Sequence, residues 1–324
     1  MPRIGLLVVW VSMAGALGLS AVSASEPLDV VLVQYQVNAQ DYSSLERFRA
    51  RIDAIVGNAV AQSDPDLIVF PEYASVFALF TDLITERGEV TLEGVSPDVV
   101  ALMDSGENEM VGVRDEAHRF IRRRARRFGA RIMHVWSTVA ADHKVWIVAG
   151  SGFVPAPDRG VYNRVWVFDR SGEIRYQQDK VFLTAFEREK LGLVPGSIRE
   201  ADTFAVEGID LAVTICRDSY FDAWEREFAD ADAWIDVRAN GEEYTAAVRR
   251  RFDTALPERV AESPVPLGLS TSLNGRFLEL LWQGPAFVVD DDGDRIGQSP
   301  TVDGDYLMEV EVPDVSTRRI NSVD

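Results

Sequence analysis

Cysteine and histidine are nearly absent from this sequence. One cysteine, Cys216, stands among 324 residues, so no intrachain disulfide can form and the fold must rest on its core rather than on crosslinks. The three histidines, His118, His134 and His143, make no H-E-x-x-H pattern and no Cys/His cluster, which speaks against zinc. Basic charge is also short: 33 Lys and Arg against 52 Asp and Glu leave a net charge of -19. Phosphate contacts need a basic surface, so a nucleic-acid partner is disfavoured. No G-x-S-x-G elbow occurs, which argues against a serine α/β-hydrolase. The G-S-G at 150–152 lacks the lysine and serine of a phosphate loop. After the first residues, no apolar run approaches membrane-spanning length.

Those first residues carry a pattern of their own. Met1-Pro2-Arg3 is a short positive start, Ile4 to Leu19 is apolar, and Val22 and Ala24 form a small-x-small site. This predicts a signal peptide over 1–24 cleaved near Ala24, and hence an exported, periplasmic or extracellular protein with no stable membrane insertion after cleavage. The alternative is an uncleaved anchor, against which the run is near the lower length limit for a span. Residues 25–324 then form a single domain, with 47% hydrophobic content ample for a core.

Along that domain strands and helices alternate. Strands are expected at Leu28–Val37, Asp66–Glu72, Val145–Phe153, Tyr162–Asp169, Ile174–Tyr176, Ile209–Cys216, Ala233–Val237, Phe277–Trp282 and Ala286–Asp290. Ser43 to Gln62 carries Leu45, Phe48, Ile52, Ile55, Val56 and Ala59 at helical spacing. Asp115–Phe128 reads as a helix whose arginine-rich face is solvated and whose buried stripe is Ala117, Phe120, Ile121, Ala125 and Phe128. A further helix is expected around Tyr244–Phe252. The D-D-D-G-D at 290–294 lacks the ligand spacing of a calcium loop and reads as a hairpin turn. The tryptophans, Trp166 and Trp282 among them, read as core. One α/β domain with mixed sheets accounts for this order.

Three segments end apolar runs with polar residues that a core disfavours. In V-F-P-E-Y, Glu72 follows a buried run, and a buried carboxylate needs a partner or a pocket. In D-K-V-F-L-T-A-F-E, Lys180 either snorkels or is held at a polar site, and Glu187 is placed to face it. In V-T-I-C-R-D, the only cysteine stands at a strand-to-helix elbow, where free backbone N–H groups lower a thiol's pKa and can bind an oxyanion. An inert cysteine would more often lie inside the run.

These three motifs, in this order, resemble the nitrilase superfamily of carbon–nitrogen hydrolases. The resemblance runs from about Asp29 to about Gly293 and takes in V-A-G-S-G, R-V-A-E and G-P-A-F-V-V-D-D-D-G. F-P-E-Y and L-T-A-F-E-R-E are nearest to bacterial branches with F-P-E-Y and L-T-P-F-E-R-E. It implies a four-layer α-β-β-α sandwich with two mixed β-sheets, often in homodimers or higher homo-oligomers, with no metal or organic cofactor. It implies Glu72 as general base, Lys180 as oxyanion stabiliser, Cys216 as nucleophile and Glu187 as the second glutamate that orients lysine and substrate. Tyr73, Arg217 and Asp218 are expected around the oxyanion and substrate. Ala185 stands where proline is common. Arg217-Asp218 stands where true nitrilases carry Trp-Glu, which favours amidase or carbamoylase chemistry over nitrile hydrolysis. The Arg217 side chain either binds a substrate carboxylate or faces solvent, and V-R-A-N-G-E-E at 237–243 departs from the family pattern.

The residue types suit the chemistry. An amide carbonyl is a weak electrophile, so a sulfur nucleophile, a base and an oxyanion site are needed together. Burial raises the pKa of Glu72 and Lys180 lowers it; the sequence does not say which prevails. The expected function is hydrolysis of a small linear amide or carbamoyl compound. The alternatives are a thioester-dependent N-acyltransferase and a non-catalytic binding protein on the same fold.

Overall fold

The computed structural model describes residues 26–91, 111–157 and 160–314. The expected signal peptide therefore lies outside the described residues. Two sheets form the centre. The first has eight strands in the order β11-β10-β1-β2-β3-β4-β5, with β14 also paired to β1. Its members are β1 (Leu28–Val37), β2 (Leu67–Val69), β3 (Trp146–Pro155), β4 (Val161–Phe168), β5 (Ile174–Asp179), β10 (Ser272–Phe277), β11 (Leu280–Trp282) and β14 (Tyr306–Val312). The second runs β13-β12-β9-β8-β7-β6. It comprises β6 (Phe204–Val206), β7 (Ile209–Ile215), β8 (Ala233–Val237), β9 (Gly268–Ser270), β12 (Phe287–Val289) and β13 (Arg295–Gln298).

Three apolar interlayers hold four layers together. Successive side chains of a strand face opposite ways. On β1, Val31, Val33 and Tyr35 therefore point to the helices α1 (Leu45–Ser63) and α2 (Val111–His143), joining Phe48, Ile52 and Trp136. Leu28, Val30 and Leu32 point the other way and meet Leu211, Val213 and Ile215 of β7 between the sheets. The far face of the second sheet, with Ala212 and Trp234, is covered by Trp224, Phe228, Leu256 and Val260. The result is the α-β-β-α sandwich with two mixed sheets.

Four expectations are corrected. Strand β2 is three residues long, because the chain turns at Pro71 and carries Glu72 out of the sheet. Helix α2 continues well past Phe128 to His143, since Ile132, Val135, Trp136 and Val139 extend its buried stripe. Its arginines are not simply solvated: Arg124 is buried, donates from Nε to the Leu79 carbonyl at 2.7 Å and pairs with Asp82. Arg122 donates to the carbonyls of Ala156 and Gly160 at 3.1 and 2.8 Å. Finally, Phe277–Trp282 is not one strand but a hairpin, with Leu278 in the left-handed region at φ 54° between β10 and β11. The acidic 290–294 segment is a turn joining the antiparallel β12 and β13. Among the described residues no helix is long and apolar enough to cross a membrane.

Trp136 is fully buried in the first interlayer. Its ring lies 4.8 Å from Phe70 and 5.9 Å from Phe48, and its indole N–H donates to Ser75 Oγ at 2.8 Å. Trp136→Ala should cost about 3–5 kcal/mol of folding stability, read as a lower urea midpoint at unchanged m-value. A loss under about 1 kcal/mol would contradict this placement.

Candidate active site

Glu72, Lys180 and Cys216 each follow the carboxyl end of a strand, β2, β5 and β7 respectively, which is where open α/β sheets place their ligands. Glu72 is set by a tight contact. Gly150 of the V-A-G-S-G strand has φ 60°, and a Cβ there would stand 2.0 Å from the Pro71 carbonyl oxygen. Only glycine lets the F-P-E turn close against β3. Beside it, Tyr73 adopts φ 64°, and its N–H donates to Ser151 Oγ at 3.1 Å.

Lys180 sits between two carboxylates. Its Nζ donates to Glu72 Oε1 at 2.7 Å and to Glu187 Oε1 at 2.8 Å, and all three side chains are about 1% exposed. Asn163 of β4 bridges the same two oxygens, with Nδ2 at 2.9 Å from Glu72 and 3.3 Å from Glu187. Glu187 is further held by the Tyr73 hydroxyl at 2.7 Å and the Thr184 N–H at 2.8 Å. Thr184 and Glu187 together form a capping box at the start of the short helix α3 (Ala185–Glu189).

The two glutamates share one lysine but not one environment. Glu187 accepts from lysine, tyrosine, threonine and asparagine donors and is held below its ordinary pKa, although burial opposes this. Glu72 has fewer donors. Burial raises it to about 7, with the Glu187 charge adding to the rise and Lys180 opposing it. At Glu72 burial thus outweighs Lys180, whereas at Glu187 the surrounding donors outweigh burial. Lys180 is raised well above its ordinary value by both carboxylates, against its burial.

Cys216 opens a short 3₁₀ turn over Cys216–Tyr220 after β7 and adopts φ 51°. A side chain in this conformation is strained and is kept there by its surroundings. Its Sγ lies 3.7 Å from the Ala239 carbonyl oxygen, and Cys216 lines the same cavity as Glu72 and Lys180. The expected lowering of the thiol pKa is corrected: burial pushes it up, and the neighbouring Glu72 charge pushes it further. Elbow geometry alone does not offset the loss of water.

Asp218 is placed differently from the sequence expectation. It is fully buried and accepts from the backbone N–H groups of Phe182 at 2.7 Å, Val181 at 3.1 Å and Ile215 at 3.4 Å. Its carboxylate therefore ties the Lys180 segment to the Cys216 elbow and faces no substrate space. Burial raises its pKa to about 7 despite those backbone donors. The Arg217 side chain is exposed, with its guanidinium 5.7 Å from the Phe221 ring centre.

A cavity of about 320 Å³ opens over these groups, lined by Glu72, Tyr73, Lys180, Thr184, Cys216, Ala239 and Gly241 with Phe186, Leu280, Leu281 and Trp282. That volume suits a small organic ligand. Trp282 is thus a wall of the cavity as well as part of the core. Among the described residues no group of three or more His, Cys, Asp or Glu side chains could hold a metal ion.

Three contributors were missed by the sequence reading. Asn163 bridges the glutamates from the middle of β4. Asp236 and Arg238 form a buried ion pair under the elbow: Arg238 Nε donates to Asp236 Oδ2 at 2.9 Å, and Ser219 Oγ lies 3.2 Å from the same oxygen and 2.8 Å from the Cys216 carbonyl oxygen. Arg238 also stacks over Phe252 at 4.5 Å. A usable signal existed for two of them, since Asn163 and Asp236 are strand-disfavoured residues within β-rich runs.

Two mixed sheets between helical layers, with a cysteine elbow facing a Lys–Glu cluster, place the chain in the class of four-layer α/β folds. The carbon–nitrogen hydrolase family model matches residues 30–319, and the chain belongs to that family, within the nitrilase superfamily. The fold is similar to a carbon–nitrogen hydrolase from Helicobacter pylori G27, at TM-score 0.65 and 14% identity over 92% of this chain and 93% of that one. It is similar also to a double mutant of the amidase from Nesterenkonia sp. AN1 in complex with acrylamide, at TM-score 0.61 and 17% identity over 90% and 93%. A mutant of the same amidase in complex with butyramide gives 0.61 and 17% over 93% and 98%. A search of curated protein sequences returns no match.

The buried pair beneath the elbow makes a prediction. Arg238→Met leaves Asp236 charged and unpaired and should cost about 3–5 kcal/mol, while Asp236→Leu/Arg238→Met should recover most of it. Urea unfolding of the three proteins checks this; equal losses in the single and double variants would refute it.

Proposed function

We propose that this protein hydrolyses small linear amides through a thioester on Cys216, with Glu72 as general base and acid, Lys180 as oxyanion stabiliser and Glu187 as the group that positions Lys180. The observation that carries the reading is the convergence of Glu72, Lys180 and the Cys216 sulfur on one cavity. Amide substrates are favoured over nitriles because Arg217-Asp218 replaces the Trp-Glu of true nitrilases, and the amidase with the same fold has been captured with acrylamide and butyramide.

The reaction follows from the charges. At neutral pH Glu72 is poised and the thiol is neutral, so the resting site holds no thiolate. Glu72 takes the thiol proton as Sγ bonds to the amide carbon. The electron pair moves to the carbonyl oxygen, where the Lys180 ammonium and the Arg217 backbone N–H hold it. The C–N bond then breaks, and Glu72 returns the proton to the departing amine or ammonia. Water, deprotonated by Glu72, attacks the thioester and releases the carboxylic acid and the thiol. On this reading the leader over residues 1–24 carries the enzyme out of the cytoplasm, and its substrate is a small solute met there; the resemblance supports a homodimer or higher homo-oligomer.

Three outcomes are expected. Ammonia release from an amide panel should vanish in Cys216→Ala and fall on the order of 10²–10⁴-fold in Glu72→Gln; release unchanged in Cys216→Ala removes the sulfur from the mechanism. The kcat/KM should rise with pH through a midpoint near 7, because the base works only when deprotonated and burial raises Glu72 to about 7. A profile flat from pH 5 to 8 would exclude Glu72 as the titrating base. Protein recovered from the cell exterior should begin near Ser25 by N-terminal sequencing; an intact Met1 terminus there contradicts cleavage.

A further inference from the structure

The walls of the active-site cavity define a kind of acyl group. Lys180 is the only cation among its described lining residues, and its ammonium is already shared by Glu72 and Glu187 at 2.7 and 2.8 Å. Arg217, the one other candidate for a substrate carboxylate, is exposed with its guanidinium over Phe221 and is not part of the lining. Arg238 is buried against Asp236. A carboxylate entering this space would meet the buried Glu72 and, among the described lining residues, no unshared cation, and an unpaired buried charge is strongly disfavoured.

Away from the sulfur the cavity is apolar. Phe186, Leu280 and Trp282, with the ring of Tyr73, are shared with a smaller void of about 50 Å³ whose other walls include Phe77 and Phe277. The Tyr73 hydroxyl is turned away to Glu187 at 2.7 Å, which leaves its ring as a wall. Phe77 packs 4.7 Å from Phe277 and 5.3 Å from Trp282, and Leu278, at φ 54° in the β10–β11 hairpin, closes the same side. A backbone strain at a non-glycine residue that places an apolar side chain against a void is consistent with a shaped subsite.

Resting on the amidase reading above, we propose that the substrate is an uncharged amide whose acyl group is an apolar chain, longer than an acetyl group, seated on Phe186, Leu280 and Trp282, and that Leu280 and Trp282 determine specificity. The test is a series of acetamide, propionamide, butyramide and pentanamide, with succinamate as the anionic counterpart of pentanamide. Each buried methylene should raise kcat/KM about fourfold, and succinamate should fall on the order of 10²-fold below pentanamide. Leu280→Ala should flatten the chain-length slope. Leu280→Arg should lower pentanamide and raise succinamate. Calorimetric binding of the same five compounds to Cys216→Ala protein reads the series without turnover and should give the same order. Hydrolysis with a flat or falling slope, or with succinamate equal to pentanamide, overturns the subsite and leaves the amidase reading standing. No hydrolysis of any member, together with graded binding in the same order, sinks the amidase reading and leaves the apolar subsite standing. Absence of both graded turnover and graded binding overturns the inference.

Discussion

The site depends on one ammonium shared by two carboxylates in a space that excludes water. A buried ion trio of this kind is not a source of stability, because stripping water from three charges consumes most of the attraction between them. What it gives is a fixed division of charge. Glu187 has Lys180, Tyr73, Asn163 and Thr184 as donors and holds the negative charge. Glu72 has fewer, and burial lifts it to about 7. Were both glutamates equally well bonded, both would be held at low pKa and neither would readily take up a proton near neutral pH. The asymmetry of hydrogen bonding thus assigns the two acids different work.

The cluster is useful only if the sulfur stands in register with it, and that register is carried by backbone capping. Asp218 binds Val181 and Phe182 N–H on the lysine segment and Ile215 N–H at the elbow. Lys180 and Cys216 leave different sheets, β5 of the first and β7 of the second, so nothing in strand pairing fixes one against the other. One short carboxylate does so directly. Beneath the same elbow, Ser219 links the Cys216 carbonyl to the Asp236–Arg238 pair. The positive φ of Cys216 is held from two sides by groups that have no room to relax.

Much of this was legible in the chain. The alternation of apolar strands with amphipathic helix points to an α/β domain with mixed sheets, while the four layers were implied by the family resemblance; β1, β4, β7 and β8 fall within a residue or so of their expected bounds. Glu72, Lys180, Glu187 and Cys216 stood out because each interrupts an apolar context with a group that must be satisfied, and they meet in space. What was hidden lay mostly in partners distant along the chain: Asn163 meets Glu72 and Glu187 far from it in sequence, and the Asp236–Arg238 pair, though two residues apart, shows its purpose only where Ser219 joins it to the elbow. The β10–β11 hairpin was hidden for another reason: its turn is made by Leu278 in a conformation that glycine or asparagine would have announced. The arginines of α2 were read as solvated because a helical wheel cannot reveal the carbonyls of Leu79, Ala156 and Gly160 that receive them.

The elevated thiol sharpens the chemical argument. A cysteine elbow is expected to stabilise a thiolate, yet here burial and the Glu72 charge both oppose ionisation. A resting thiolate beside Glu72 would put two anions next to each other in a low-dielectric space, with Glu187 close by as a third. In the proposed mechanism sulfur attack is instead coupled to proton transfer, so that negative charge passes from Glu72 through the sulfur to the carbonyl oxygen without two anions persisting side by side. Lys180 has, in that mechanism, a constant task throughout. It faces one mobile negative charge, first on the carboxylate and then on the oxyanion, while Glu187 holds it in place, and little reorganisation of the site is needed as the charge moves.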